Sequence, residues 1–268
     1  MIIDISELDG TNVEYIDSIV EKYKEVVVPF YTNNQDKGYD FNSFGSGFIV
    51  KYNQSFFIVT ALHVLSDART FGASVIVIGP HKMIVENINV NFNKKHDVAV
   101  FCIDQWMESN NITELPYITL NNDISFQSIN KSFFLLMGYP ATKNKVRDCK
   151  KGLNPHLYSI TAEKFVEKPP VKTEVESAIY YEFASKKLID SYNKKFGRPP
   201  DLYGMSGGPA FEIVVRPSLL MNNNTHVEFS LHLQGVLVEW HKSHKCVLSS
   251  TKDVIDVLIE MSYEQLKS

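Results

Sequence analysis

Cysteine is scarce in this chain: Cys102, Cys149 and Cys246 are the only three in 268 residues, far apart and odd in number. That pattern fits a reducing compartment better than a disulfide framework. Long apolar runs are also missing, none approaching the roughly 18 residues of a membrane span. The opening Met1-Ile2-Ile3-Asp4-Ile5-Ser6 shows no basic region followed by an apolar one. No secretory leader is therefore read there, and a cytoplasmic protein with no membrane partner is expected. Positive charge is in no excess either. With 27 basic against 31 acidic side chains, a formal charge of -4 and a pI near 6.1, the chain offers phosphate no global attraction, so nucleic acid is not expected as a partner. What the chain does have is 44% hydrophobic and 22% charged residues, an ordinary globular composition, and length for one large domain or two small ones.

From Asn12 to Tyr23 apolar residues fall at Val13, Ile16, Ile19, Val20 and Tyr23, which is helical spacing. Beyond Val26 the texture changes to short runs of Val, Ile, Phe and Tyr broken by Gly, Pro, Asn and Asp. These predict strands near 26–31, 47–52, 56–60, 74–78, 83–89 and 98–103. The polar stretch 105–130 reads as a crossing between two strand-rich halves. Strands follow near 133–138, 158–162, 178–183, 209–215, 227–238 and 245–250, with helical patterns at Ser185–Phe196 and Thr251–Leu266. Many short strands at this spacing imply a sandwich or barrel.

Three short segments carry chemistry. Gly204-Met205-Ser206-Gly207-Gly208-Pro209 sets a serine between glycines, which lets backbone approach a carbonyl closely and aim N–H groups at it. Phe56–Thr60 is an apolar run that leads through Ala61-Leu62 to His63, an imidazole placed where it can act as a base. His96-Asp97 precedes the apolar Val98-Ala99-Val100-Phe101 and puts a carboxylate ahead of a buried strand. Each has a plain structural reading alone: a Gly-rich turn, a packing histidine, a strand-start aspartate.

In the chain order His63, Asp97, Ser206, the three together resemble the trypsin-like (chymotrypsin-fold) serine peptidases of bacterial or intracellular type. The resemblance spans about residues 26–266. It extends to Leu135-Leu136-Met137-Gly138-Tyr139-Pro140, to Leu233–Val238 as the strand after the nucleophile, and to Thr251–Leu266 as a closing helix. It implies a mostly β protein of two six-stranded antiparallel β-barrels with an N-terminal helix, an inserted helix and a C-terminal helix. Residues 1–25 would be a helical extension, 26–120 the first barrel with His63 and Asp97, and 121–268 the second barrel with Ser206.

The implied chemistry is hydrolysis of peptide bonds through an acyl-enzyme: Ser206 attacks, His63 moves the proton, and Asp97 holds the imidazole. The N–H groups of Gly204 and Ser206 would form the oxyanion hole. No cofactor or metal is required. The resemblance places Pro200, Asp201, Tyr203, Val238, Glu239 and Trp240 at the substrate. Asp201 or Glu239 would favour a basic side chain there, and Pro200 with Trp240 an apolar one.

Other readings compete. Gly-x-Ser-x-Gly is also the nucleophile elbow of α/β-hydrolases, but that fold needs its acid and histidine after the serine and a helix directly behind it. Here Pro209 and a β-rich run follow. His241, His244 and Cys246 could ligate a metal but lack a fourth ligand nearby. Lys143, Lys145, Arg147, Lys150 and Lys151 read as a solvated loop, because no aromatic residues are interleaved. A catalytically silent peptide-binding module is the alternative function. A cytosolic protease needs restraint, so a regulatory protein partner is expected, with Ser185–Pro200 as its candidate contact. Met205 stands where secreted relatives carry an ion-pairing aspartate, so ordering of the oxyanion loop is expected from packing of its thioether.

Overall fold

The computed structural model describes residues 2–4, 20–21, 23–32, 41–72, 74–86, 88–120, 133–146, 153–182, 201–219 and 225–267, and the structural statements below concern these. Strands are numbered in chain order, beginning with β1 (Ile2–Asp4). The first sheet is built on β2 (Val27–Thr32) and β3 (Phe41–Tyr52). It continues with β4 (Ser55–Ala61), β5 (Ser74–Ile78), β6 (His81–Ile84), β7 (Asn91–Asn93) and β8 (Val98–Cys102). Their order is β6-β5-β2-β3-β4-β8-β7. β2 and β4 are buried along their whole length, so both faces of each demand apolar side chains and the sequence shows unbroken hydrophobic runs instead of alternation. Pro29 is tolerated within β2 because pairing with β5 begins only at Phe30.

β9 (Ile118–Thr119) lies parallel to β3. The second sheet starts with β10 (Phe133–Gly138); the short β11 (Lys145–Val146) returns to the first sheet and pairs with β3. β12 (Tyr158–Lys164), β13 (Ile179–Glu182), β14 (Pro209–Leu219), β15 (Thr225–His241) and β16 (Cys246–Ser249) complete the second sheet. Their order is β1-β15-β14-β10-β12-β13-β16, and β15 also pairs with β16. That last pairing closes a ring of six strands. The expected pair of six-stranded barrels is thus corrected to one closed ring and one sheet whose ends, β6 and β7, do not meet among the described residues. Both end strands are short and none of β7 is buried; the closing helix Lys252–Lys267 packs on β7 and β8 instead.

Alternation along β10 joins the two sheets. Leu135 and Met137 enter one core with Phe30, Phe48 and Ile58 of the first sheet, whereas Leu136 enters a second core with Ile160, Tyr181, Leu202 and Met205. The closing helix buries Ile255, Leu258, Ile259 and Ser262, the i, i+3, i+4, i+7 stripe that its sequence pattern predicts. Two further helices, Leu62–Phe71 and Asp104–Ser109, fall where no helix was expected. Of the predicted leading helix only Val20, Glu21 and Tyr23 are described, and they are helical. The predicted helix Ser185–Phe196 lies outside the described residues, as does most of the polar stretch beyond Leu120. No helix among the described residues is long and apolar enough to cross a membrane.

Candidate active site

His63 occupies the first turn of the helix Leu62–Phe71, directly behind β4. This helix lacks a side-chain cap of its own, because Ala61 stands at the N-cap. Asp97 supplies one from afar. Its Oδ1 accepts the His63 N–H at 2.9 Å and its carbonyl accepts the Leu62 N–H at 3.0 Å, so the helix N-terminus is satisfied by an anion, as the backbone dipole favours. The other oxygen, Oδ2, lies 2.6 Å from His63 Nδ1. One carboxylate therefore fixes both the backbone and the ring of His63. Asp97 does this from a left-handed conformation, φ 54°, which aspartate tolerates better than most residues and which is a common signature of a functional turn.

Burial opposes charging of the His63 imidazole, but the hydrogen bond and charge of Asp97, helped by the more distant Asp67 and Glu239, outweigh it and raise the pKa above the ordinary histidine value. The His63 side chain is 44% exposed and Asp97 17%, so the ring is open to a substrate and its partner is sheltered.

Ser206 lies in the loop between Leu202 and Pro209, and this loop is locked to the first sheet through Ser46. Ser46 N–H donates to Ser206 O at 2.8 Å, Ser46 Oγ donates to Gly204 O at 2.8 Å, and the same Oγ accepts the Tyr139 N–H at 2.8 Å. Gly207 N–H donates to Leu237 O and Leu237 N–H to Gly208 O, tying the loop to β15 as well. Met205 is 3% exposed and packs in the second core, which anchors the loop from beneath. Gly204 has φ 96°, and a Cβ there would come within 2.8 Å of Tyr139 O and Ala141 N, so only glycine fits. Among the described residues the N–H groups of Gly204 and Ser206 have no hydrogen-bond acceptor, whereas Met205 N–H is taken by Leu202 O.

Ser206 Oγ donates to Val238 O at 3.4 Å, and His63 bonds to Asp97; serine and histidine are not bonded to each other. Beside Ser206 opens a cavity of about 10 Å³ lined by Leu136, Ile160, Leu202, Met205, Val247 and Trp240 together with Leu237 and Glu239.

The other residues singled out in the sequence are distributed as follows. Val238 presents its carbonyl to Ser206, and Glu239 and Trp240 flank the cavity. Glu239 is not a free charge: Oε1 accepts from Thr173 Oγ1 at 2.8 Å and Oε2 lies 2.7 Å from His241 Nε2. Asp201 pairs with Lys242 at 3.1 Å and is not among the residues that line the cavity; burial disfavours its charge, but the bonds to Lys242, the Tyr203 N–H and the Trp240 side chain prevail and the net shift is downward. Tyr203 is 57% exposed, and Pro200 lies outside the described residues. Among the described residues no group of three His, Cys, Asp or Glu side chains comes together as a metal site; His244 bonds Ser243 and Cys246 is buried.

Sequence reasoning gave no role to Ser46, Thr173, Glu176 or His96. The last two brace the Asp97 turn: Glu176 N–H donates to Lys95 O, His96 Nδ1 lies 2.9 Å from Glu176 O, and Lys95 Nζ reaches the Glu176 carboxylate at 3.0 Å. Only Ser46 carried a local signal, the Gly45-Ser46-Gly47 triplet inside an apolar strand.

No protein-family model matches the chain, and no curated protein sequence does. Solved structures do. An HtrA-type protease, AlgW, with a decapeptide superimposes with a TM-score of 0.51 at 15% identity, over 92% of this chain and 68% of that one. The Rv3671c protease of M. tuberculosis H37Rv, in its inactive form, aligns with a TM-score of 0.49 at 12% identity, over 93% of this chain and 95% of that one. The chain has the fold of the trypsin-like serine proteases.

Proposed function

We propose that the protein is a serine endopeptidase that cleaves peptide bonds through an acyl-enzyme, with His63, Asp97 and Ser206 as the triad and the N–H groups of Gly204 and Ser206 as the oxyanion hole. The carrying observation is the doubly bonded Asp97–His63 pair, whose Nδ1 is held as the donor so that Nε2 is left as the acceptor a serine needs. Ser206 Oγ would leave its long bond to Val238 O and deliver its proton to His63 Nε2 as it attacks the carbonyl; the imidazolium, stabilised by Asp97, would return that proton to the departing amine. Such bonds are often loose in unliganded enzymes and tighten with substrate. Two unpartnered N–H groups beside the nucleophile suit a developing oxyanion, since aligned donors there cost no reorganisation in the transition state. The fold neighbour AlgW is recorded with a peptide, which agrees with an extended substrate lying along Val238–Trp240.

The Ser206–Val238 bond favours one other reading, a silent peptide-binding module. Labelling with a fluorophosphonate separates the two. Wild type should label at Ser206 and Ser206→Ala should not; a wild type that stays unlabelled while binding peptides makes the module correct.

The cavity beside Ser206 measures only about 10 Å³ and is walled mostly by apolar side chains, Trp240 among them, so the residue before the scissile bond should be small and apolar, such as alanine. Asp201 and Glu239, each already paired, would not select lysine or arginine there. Replacing Trp240 with alanine should move the preference toward leucine or phenylalanine by about tenfold or more in kcat/KM. A peptide library read by mass spectrometry measures it, and a lysine or arginine preference in the wild type would overturn the assignment.

A further inference from the structure

Three carboxylates bear on His63: Asp97, Asp67 and Glu239. Asp97 is spent on the imidazole and the helix end, and Glu239 is capped by Thr173 and His241. Asp67 is different. It lies four residues beyond His63 in the helix Leu62–Phe71, hence on the same face one turn further along. It is half-buried, and it has neither a hydrogen-bond nor an ion-pair partner among the described residues. A carboxylate that the protein leaves unpaired one turn from the imidazole can meet a cation that arrives from outside.

Its position says what that is. The acyl half of a substrate would lie on β15 with its last side chain in the cavity lined by Leu202, Met205 and Trp240. The amine would depart past the imidazole, on the side where the His63 helix runs.

Resting on the peptidase reading, we infer that Asp67 forms the subsite for the leaving segment, and that it takes a lysine or arginine within two residues after the scissile bond. The cation would meet the Asp67 carboxylate one turn beyond the imidazole.

The test uses the full chain and paired quenched-fluorescence peptides that differ only in carrying lysine, glutamine or glutamate at the first or second position after the cleaved bond, with active sites counted by fluorophosphonate. The wild type should prefer lysine over glutamine by about fivefold in kcat/KM, the scale of one partly solvated charge pair, and the preference should shrink in high salt. Asp67→Asn should bring the ratio close to one, and Asp67→Lys should turn it toward glutamate. An enzyme that labels and cleaves, but whose ratio is unmoved in Asp67→Asn, overturns this inference and leaves the peptidase reading standing. A chain that neither labels nor cleaves overturns both.

Discussion

Asp97→Asn is expected to lower kcat by about 10⁴-fold while leaving the fold and Ser206 in place. Asparagine keeps the size of aspartate and tolerates the left-handed φ of 54° at this turn, so the backbone has no reason to move. Its amide oxygen can still accept the His63 N–H. The amide nitrogen, however, then faces Nδ1 as a donor, and the imidazole must turn its own proton to Nε2. A histidine protonated on Nε2 presents Ser206 with a donor and cannot take its proton.

A second signature follows from the titration. His63 acts as a base only when neutral, and Asp97 raises its pKa, so the acidic limb of the wild-type profile should lie above the ordinary histidine value of 6.5. Removing the Asp97 charge lowers that pKa and should move the limb of the residual activity to lower pH. The same coupling makes the charged pair stabilising below the unfolded histidine pKa, and this contribution fades as pH rises through the folded value. A kcat within tenfold of wild type, or an unshifted limb, would show that Asp97 does not hold the base.

The strands were legible because burial on both faces leaves unbroken apolar runs: Ser74–Ile78 and Val98–Cys102 fall where the sequence puts them, to within a residue. The helix Leu62–Phe71 was not legible, and the reason is physical. Its start is signalled by no serine, threonine or asparagine at the N-cap, since the capping group is Asp97, 34 positions further along the chain. Asp104 hides the next helix similarly, its Oδ1 being turned back to the Phe56 N–H of the first sheet. Of the candidate site, short local motifs single out His63, Asp97 and Ser206. They give no role to Ser46, Thr173 and Glu176, because what matters in each is a partner far away in sequence: Gly204, Glu239 and Lys95. Number of closed barrels was also hidden, since closure depends on β15 being long enough to pair with β14 along one part and β16 along another.

Gly207→Ala should abolish labelling at Ser206 and destabilise the protein by at least about 3 kcal/mol. Gly207 has φ 88°, a conformation that costs a residue with a Cβ about 1–2 kcal/mol in its own right. The larger cost is steric. A Cβ at Gly207 would sit 1.9 Å from Ser46 O and 2.3 Å from Thr60 Oγ1, and these two atoms are bonded to each other at 2.7 Å inside the first sheet. Neither can retreat, because Ser46 and Thr60 are fully buried on adjacent strands, paired through Gly47 and Thr60. The nucleophile loop would therefore have to lift away, breaking the Ser46 bonds to Ser206 O and Gly204 O and displacing both candidate oxyanion donors together. Gly79→Ala is the control: its φ of 55° carries the dihedral cost, but a Cβ there meets nothing within 4 Å. Thermal melting should show the Gly79 variant lowered by about 2–5 °C and fully labelled, and the Gly207 variant lowered by about 6–12 °C and unlabelled. If the two variants melt alike and both label, the contact between Ser46 and the loop is not what holds Ser206 in place.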